Sequence, residues 1–203
     1  MHETFKRLER SKIVGVLRAD SEKSALEQAR AAGEGGLTAI EITFTTPGAL
    51  RVIERLAGSS LIVGAGTVLA AAQARDAAAA GATFLVSPHL DDELTELAHD
   101  LNIPYIPGVL TPTEVQQARL LGCEMVKVFP IARAGGPKYI KDLRGPFPDL
   151  KVMVTGGVGL EDVLSYLEAG VQAIGLGALF ADAPDETRAK TAAFMSIIAP
   201  QPG

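Results

Sequence analysis

A single cysteine, Cys123, rules out an intramolecular disulfide, and three scattered histidines, His2, His89 and His99, do not form the cluster that a metal site requires. Tryptophan is absent and aromatic residues make up 5% of the 203 positions, so neither a stacking platform for bases nor an aromatic sugar-binding face is suggested. Positive charge is also in deficit. The net charge of −5 and a pI near 5.3 oppose a nucleic-acid-binding surface. Hydrophobic residues reach 47%, yet no uninterrupted run is long enough to span a bilayer. The N-terminal stretch MHETFKRLERS carries none of the apolar core of a secretory signal. A cytoplasmic protein engaging neither membrane nor nucleic acid is therefore expected, with one domain over residues 1–203.

What the chain does have is rhythm. Short β-branched runs alternate with alanine-rich helical stretches, the pattern of βα units around a parallel sheet. Eight strands are predicted, near Ile13–Leu17, Ala39–Thr43, Leu61–Ala65, Phe84–Ser87, Tyr105–Pro107, Met125–Phe129, Val152–Thr155 and Ala173–Gly175. Helix starts are signalled by Asp20-Ser21, Thr46-Pro47, Ser87-Pro88, Thr111-Pro112 and Gly159 before Leu160-Glu161-Asp162. Glycines 36, 81, 122 and 170 each precede a strand by about three residues, where glycine supplies the left-handed turn that stops a helix. Eight units favour a closed (β/α)8 TIM barrel of the α/β class over an open doubly wound sheet. Residues 1–11 then form an additional N-terminal helix outside the barrel, covering its N-terminal end. The active site is expected where the strands end.

Lys127 stands inside the apolar run Met125-Val126-Lys127-Val128-Phe129. Burial disfavours the ammonium and leaves a neutral amine suited to attack a carbonyl and form a Schiff base. The alternative is a lysine whose stem crosses apolar surface while its head reaches water. Glu41 lies five residues after Gly36 and Lys127 five after Gly122, which are equivalent positions in the repeat, so both side chains should project toward the barrel axis. A carboxylate and an amine could share a substrate there, or only neutralise one another as a buried pair.

Thr155-Gly156-Gly157-Val158 follows the seventh predicted strand and Gly175-Leu176-Gly177 the eighth. Both precede a helix, where free amides hold phosphate in this fold; ordinary turn glycines are the alternative. Gly64-Ala65-Gly66-Thr67 ends the third strand with a hydroxyl that can donate to an oxyanion. Ser87-Pro88-His89 and Pro107-Gly108 shape loops, and His89 reads as a polar loop residue more than as a general base. Arg18, closing the first strand, suits bidentate carboxylate binding, with a surface salt bridge as the alternative.

Five motifs together resemble the 2-keto-3-deoxy-6-phosphogluconate (KDPG) aldolase family, also called the 4-hydroxy-2-oxoglutarate (KHG) aldolase family: Ile40-Glu41-Ile42-Thr43, Gly64-Ala65-Gly66-Thr67-Val68, Ser87-Pro88, Val126-Lys127-Val128-Phe129-Pro130 and Thr155-Gly156-Gly157-Val158. The resemblance covers nearly the whole chain. It implies a class I aldolase without metal or other cofactor, in which Lys127 forms the imine, Glu41 is the acid/base and Thr67 contacts the pyruvyl carboxylate. It also implies that Pro88 and Phe129 line the pocket, that Gly156 and Gly157 bind phosphate, and that the protein is a homotrimer acting on a phosphorylated 2-keto acid. Two departures stand out. Some members carry arginine where this chain has Thr45, and Arg18 is the natural substitute; a serine of some members after the eighth strand is replaced at Gly177, leaving that contact to backbone amides. The runner-up expectations are a phosphate-binding barrel isomerase or synthase resembling thiamine-phosphate synthase, which needs no imine, and a non-catalytic phosphosugar-binding protein.

Overall fold

The structure, a computed structural model, describes residues 2–198. Within them the strands are β1 (Ile13–Leu17), β2 (Ala39–Thr43), β3 (Ile62–Gly66), β4 (Leu85–Val86), β5 (Tyr105–Ile106), β6 (Gly108–Val109), β7 (Val126–Val128), β8 (Val152–Val154) and β9 (Ala173–Leu176). All pairings are parallel, in the order β5-β4-β3-β2-β1-β9-β8-β7-β6.

The two ends of that order are consecutive in the chain, divided by Pro107. Ile106 accepts a hydrogen bond from the Ser87 N–H on the β4 side, and Pro107 accepts one from the Lys127 N–H on the β7 side, at 3.3 and 2.8 Å. The fifth predicted strand is thus one extended run in two short ladders, and it closes an eight-staved TIM barrel. Proline cannot donate to a ladder, which is why the run is interrupted there.

Helices α1 (Glu3–Ser11), α2 (Glu22–Glu34), α3 (Ala49–Leu56), α4 (Ala71–Ala79), α5 (Asp92–Asp100), α6 (Pro112–Leu120), α7 (Ile131–Ala134), α8 (Gly136–Arg144), α9 (Val163–Glu168) and α10 (Pro184–Ile198) accompany the strands. Ser21 caps α2, and Thr111 with Glu114 forms a capping box on α6, so two predicted starts hold. Gly159 precedes a short 3-10 helix, Leu160–Asp162. Two others shift. α3 begins after Gly48, whose φ is 74°, while the Thr46 hydroxyl accepts from the Ala19 N–H. α5 is capped by Asp91, whose carboxylate accepts from Leu94 N–H at 2.8 Å, because the Ser87 hydroxyl is bonded to the backbone of His89. Glycines 36, 81, 122 and 170 have φ of 96, 96, 80 and 85°, the left-handed stop expected of them.

Alternation along each strand divides the apolar residues into two cores. Ile40, Ile42, Val126 and Val128 pack outward into the layer between sheet and helices. Ala39, Ile62, Phe84, Met125, Met153 and Ala173 pack inward, and Phe5 and Leu8 of α1 join them. Because Ala39, Ile62 and Ala173 open their strands, α1 covers the N-terminal end of the barrel, as expected of it. Met1 lies outside the described residues. A Lys151–Glu9 ion pair at 2.7 Å ties the helix to the foot of β8.

Candidate active site

The inward positions one step further along β2 and β7 are Glu41 and Lys127, as the glycine-anchored repeat predicts. Neither reaches solvent freely: Lys127 is 6% exposed and Glu41 1%. Burial lowers the lysine pKa from its ordinary 10.5, opposed by Glu41 and assisted by Arg18. Burial raises the Glu41 pKa from 4.5, opposed by the charges of Lys127 and Arg18. Both shifts favour the uncharged forms, a neutral amine and a protonated acid. Glu41 Oε2 is buried without a hydrogen-bond partner.

Above Lys127 a cavity of about 500 Å³ opens at the C-terminal ends of the strands. Arg18, Thr67, Pro88, Lys127, Phe129, Thr155, Gly156, Gly157, Gly175 and Gly177 all line it. Glu41 does not; it sits beneath the lining, close enough for its charge to bear on Lys127. His89 lies outside this cavity, 3.7 Å from Asp91 Oδ2 through its Nε2, which fits a loop residue. Thr45 is exposed and its hydroxyl is 2.8 Å from that of Thr43.

Each lining residue is held by a local device. Thr67 follows β3 with φ of 57°, a conformation a β-branched residue rarely adopts, and its backbone is pinned by Val68 N–H donating to Val86 at 3.1 Å. The Phe129 ring lies 5.0 Å from Lys127 Nζ, a face that favours the cation whenever the amine is protonated. Gly156 and Gly157 have φ of 91 and 80°, and a Cβ on Gly156 would lie 2.8 Å from the Phe129 ring. Their turn clasps α7, with Ala132 N–H donating to Gly156 at 3.1 Å. Thr155 is among the residues that line the cavity, and its hydroxyl is buried without a hydrogen-bond partner. Val16, Val158 and Ala178 also line the cavity and were not singled out from the sequence. For Val16 the signal was present, since Val14, Val16 and Arg18 alternate along one stave and Val16 pairs with Glu41.

An amine biased to neutrality, a buried carboxyl group behind it whose pKa is raised, a guanidinium and a glycine turn along the same cavity together suit a substrate with a ketone next to a carboxylate at one end and an anionic group at the other. Comparison with known proteins leads to the same place. The family model described as KDPG and KHG aldolase matches residues 5–193. A 2-dehydro-3-deoxy-phosphogluconate aldolase of Pseudomonas aeruginosa is 41% identical over 159 residues, covering 77% of this chain and 72% of that protein. A probable 2-dehydro-3-deoxy-6-phosphogalactonate aldolase of Rhizobium meliloti is 35% identical over 169 residues, covering 81% and 79%. The solved KDPG aldolase of Legionella pneumophila, with pyruvate captured as a covalent carbinolamine, superposes with a TM-score of 0.87 at 30% identity, covering 94% of this chain and 97% of that one. Barrel, cavity and relatives agree, and the chain belongs to the KDPG and KHG aldolase family.

Proposed function

We propose that this protein is a class I lyase that cleaves 2-keto-3-deoxy-6-phosphogluconate to pyruvate and glyceraldehyde 3-phosphate through an imine on Lys127. The observation that carries the reading is the pairing of two buried ionisable groups, Lys127 in the cavity lining and Glu41 beneath it, with pKa values shifted toward their neutral forms. Neutral Lys127 attacks the C2 ketone, and Glu41 supplies and recovers protons as the carbinolamine loses water. The protonated imine is the electron sink. Removal of the C4 hydroxyl proton, by Glu41 directly or through a water, then breaks the C3–C4 bond and releases the aldehyde. The enamine left on Lys127 takes a proton at C3 and is hydrolysed to pyruvate.

In this reading Arg18 and Thr67 hold the carboxylate end, Pro88 and Phe129 form the walls, and Thr155, Gly156, Gly157, Gly175 and Gly177 receive the phosphate end. The route needs no metal, because the imine does the work of a Lewis acid, and exhaustive chelation is expected to leave turnover unchanged. 4-Hydroxy-2-oxoglutarate, giving pyruvate and glyoxylate, is the second substrate we propose. A cytoplasmic homotrimer is the state in which we place the enzyme; no helix among the described residues is long and apolar enough to cross a membrane. The test is pyruvate release measured side by side from the phosphorylated gluconate and galactonate analogues and from 4-hydroxy-2-oxoglutarate. Turnover of the phosphorylated gluconate supports the reading. Release from none of the three would reject it in favour of a barrel that binds phosphosugars without cleaving them.

A further inference from the structure

The glycines in and after the strands have different reasons to be glycine, and one of them points to Glu41. Gly156 and Gly157 need the left-handed backbone, but Gly66 at the end of β3 does not, since its φ lies outside that region. What excludes a side chain from Gly66 is space. A Cβ built there would fall 1.9 Å from Glu41 Oε1 and 2.4 Å from both Cδ and Cγ, and these are the three nearest atoms. The neighbouring inward glycine of the same strand, Gly64, is crowded instead by the ring of Phe84, at 2.3 Å. Register explains the difference. Glu41 pairs with Gly64 and Thr43 with Gly66, so the Glu41 side chain runs along the strand direction, passing Gly64 and coming to rest over Gly66.

We infer that Gly66 is a positioning residue: its missing side chain is the seat that holds the carboxyl group of Glu41 beside Lys127. The inference rests on the acid/base role proposed above for Glu41 and extends it to a residue that touches no substrate. A rotamer-rich carboxyl group with one unpartnered oxygen has no hydrogen bond from Oε2 to fix it, so shape must do so. Moving the group by about 1 Å is enough to cost a large part of its contribution to proton transfer.

The experiment is a double-mutant cycle on positions 41 and 66, read by thermal unfolding and by steady-state kinetics of 2-keto-3-deoxy-6-phosphogluconate cleavage. Gly66→Ala in the parent is expected to lower kcat by about 10²-fold, within the span for loss of one general acid/base, with KM changed by no more than about twofold. In a Glu41→Gln background the same alanine should cost less than about twofold in kcat. In a Glu41→Ala background, where the seat is empty, it should leave Tm unchanged. Gly64→Ala serves as the structural control, lowering Tm through Phe84 with no dependence on residue 41. Equal loss of Tm from Gly66→Ala in the parent and the Glu41→Ala background would overturn the inference, as would equal loss of kcat in the parent and the Glu41→Gln background. If Gly66→Ala does not fold in the parent but folds with Glu41→Ala, the seat is supported by that contrast alone. Normal turnover of Glu41→Gln by itself would instead refute the acid/base role, while the unfolding arm still reports on the seat.

Discussion

Lys127 and Glu41 are buried ionisable groups, and each ties the stability of the fold to pH. Burial raises the pKa of Glu41 in the folded state above its ordinary 4.5, so folding is linked to its proton. Above pH 4.5 the unfolded state binds fewer protons at this site, and stability falls as pH rises toward the raised folded-state pKa. Lys127 has the opposite sense. Its folded-state pKa is depressed, so the unfolded state binds more protons between that value and 10.5, and stability rises with pH there. Glu41→Gln removes the first penalty while keeping the shape of the side chain. It is therefore expected to lower turnover by roughly 10²–10⁴-fold yet raise Tm near neutral pH, with the gain widening as pH increases from 4.5. Loss of both activity and stability would show that the ionised Glu41 supports the fold as a partner of Lys127.

At this scale the sequence was informative where it broke a pattern. A lysine among valines has few explanations, and the glycine-anchored count placed Glu41 opposite it. The seat over Gly66 was not legible, because a glycine at a strand end reads as a turn residue unless the side chain filling its space is known.

Among the elements, β1 and β2 fall at the predicted residues, since five-residue β-branched runs bounded by polar turns leave little room for another period. The starts of α3 and α5 were misplaced for one physical reason. Thr46 and Ser87 are good caps by residue type, but the Thr46 hydroxyl accepts from the Ala19 N–H in a distant loop, which local sequence rules cannot see, and the Ser87 hydroxyl closes a local turn with the backbone of His89 that competes with capping. The turn after β8 is the element with the sharpest consequence. Gly157→Ala forces an ordinary residue to φ of 80° and brings its Cβ 2.7 Å from that of Ala132. A cost of about 1–2 kcal/mol follows from the backbone alone. If this turn receives phosphate, KM for the phosphorylated substrate should rise about tenfold or more, the worth of a hydrogen bond to a charged group. Imine formation with pyruvate, which carries no phosphate, should keep its parent affinity. A parallel loss with pyruvate would mean that the turn supports the whole cavity.

For the whole molecule, closure into a barrel was predictable from the number of βα units, but the place of closure was not. Pro107 splits the fifth stave, and only the three-dimensional order of strands shows that its two halves meet different neighbours. Closure is also what brings Arg18 on the first stave, Lys127 on the sixth and the glycines after the last two around one cavity. If Arg18 takes the carboxylate role proposed for it in place of Thr45, Arg18→Ala should weaken 2-keto acid binding by about 1.5–3 kcal/mol. Titration with pyruvate checks this, and unchanged pyruvate affinity with weakened binding of a phosphate-bearing aldehyde would move Arg18 to the other end of the substrate.

The central claim is that Lys127 is the nucleophile, and covalent trapping tests it most directly. Incubation with pyruvate and borohydride, followed by peptide mass spectrometry, should find one reduced pyruvyl group per chain, on Lys127 and on none of the other seven lysines, and none in a Lys127→Arg protein. Label on another lysine, or no label on an enzyme that is turning over substrate, would contradict the account.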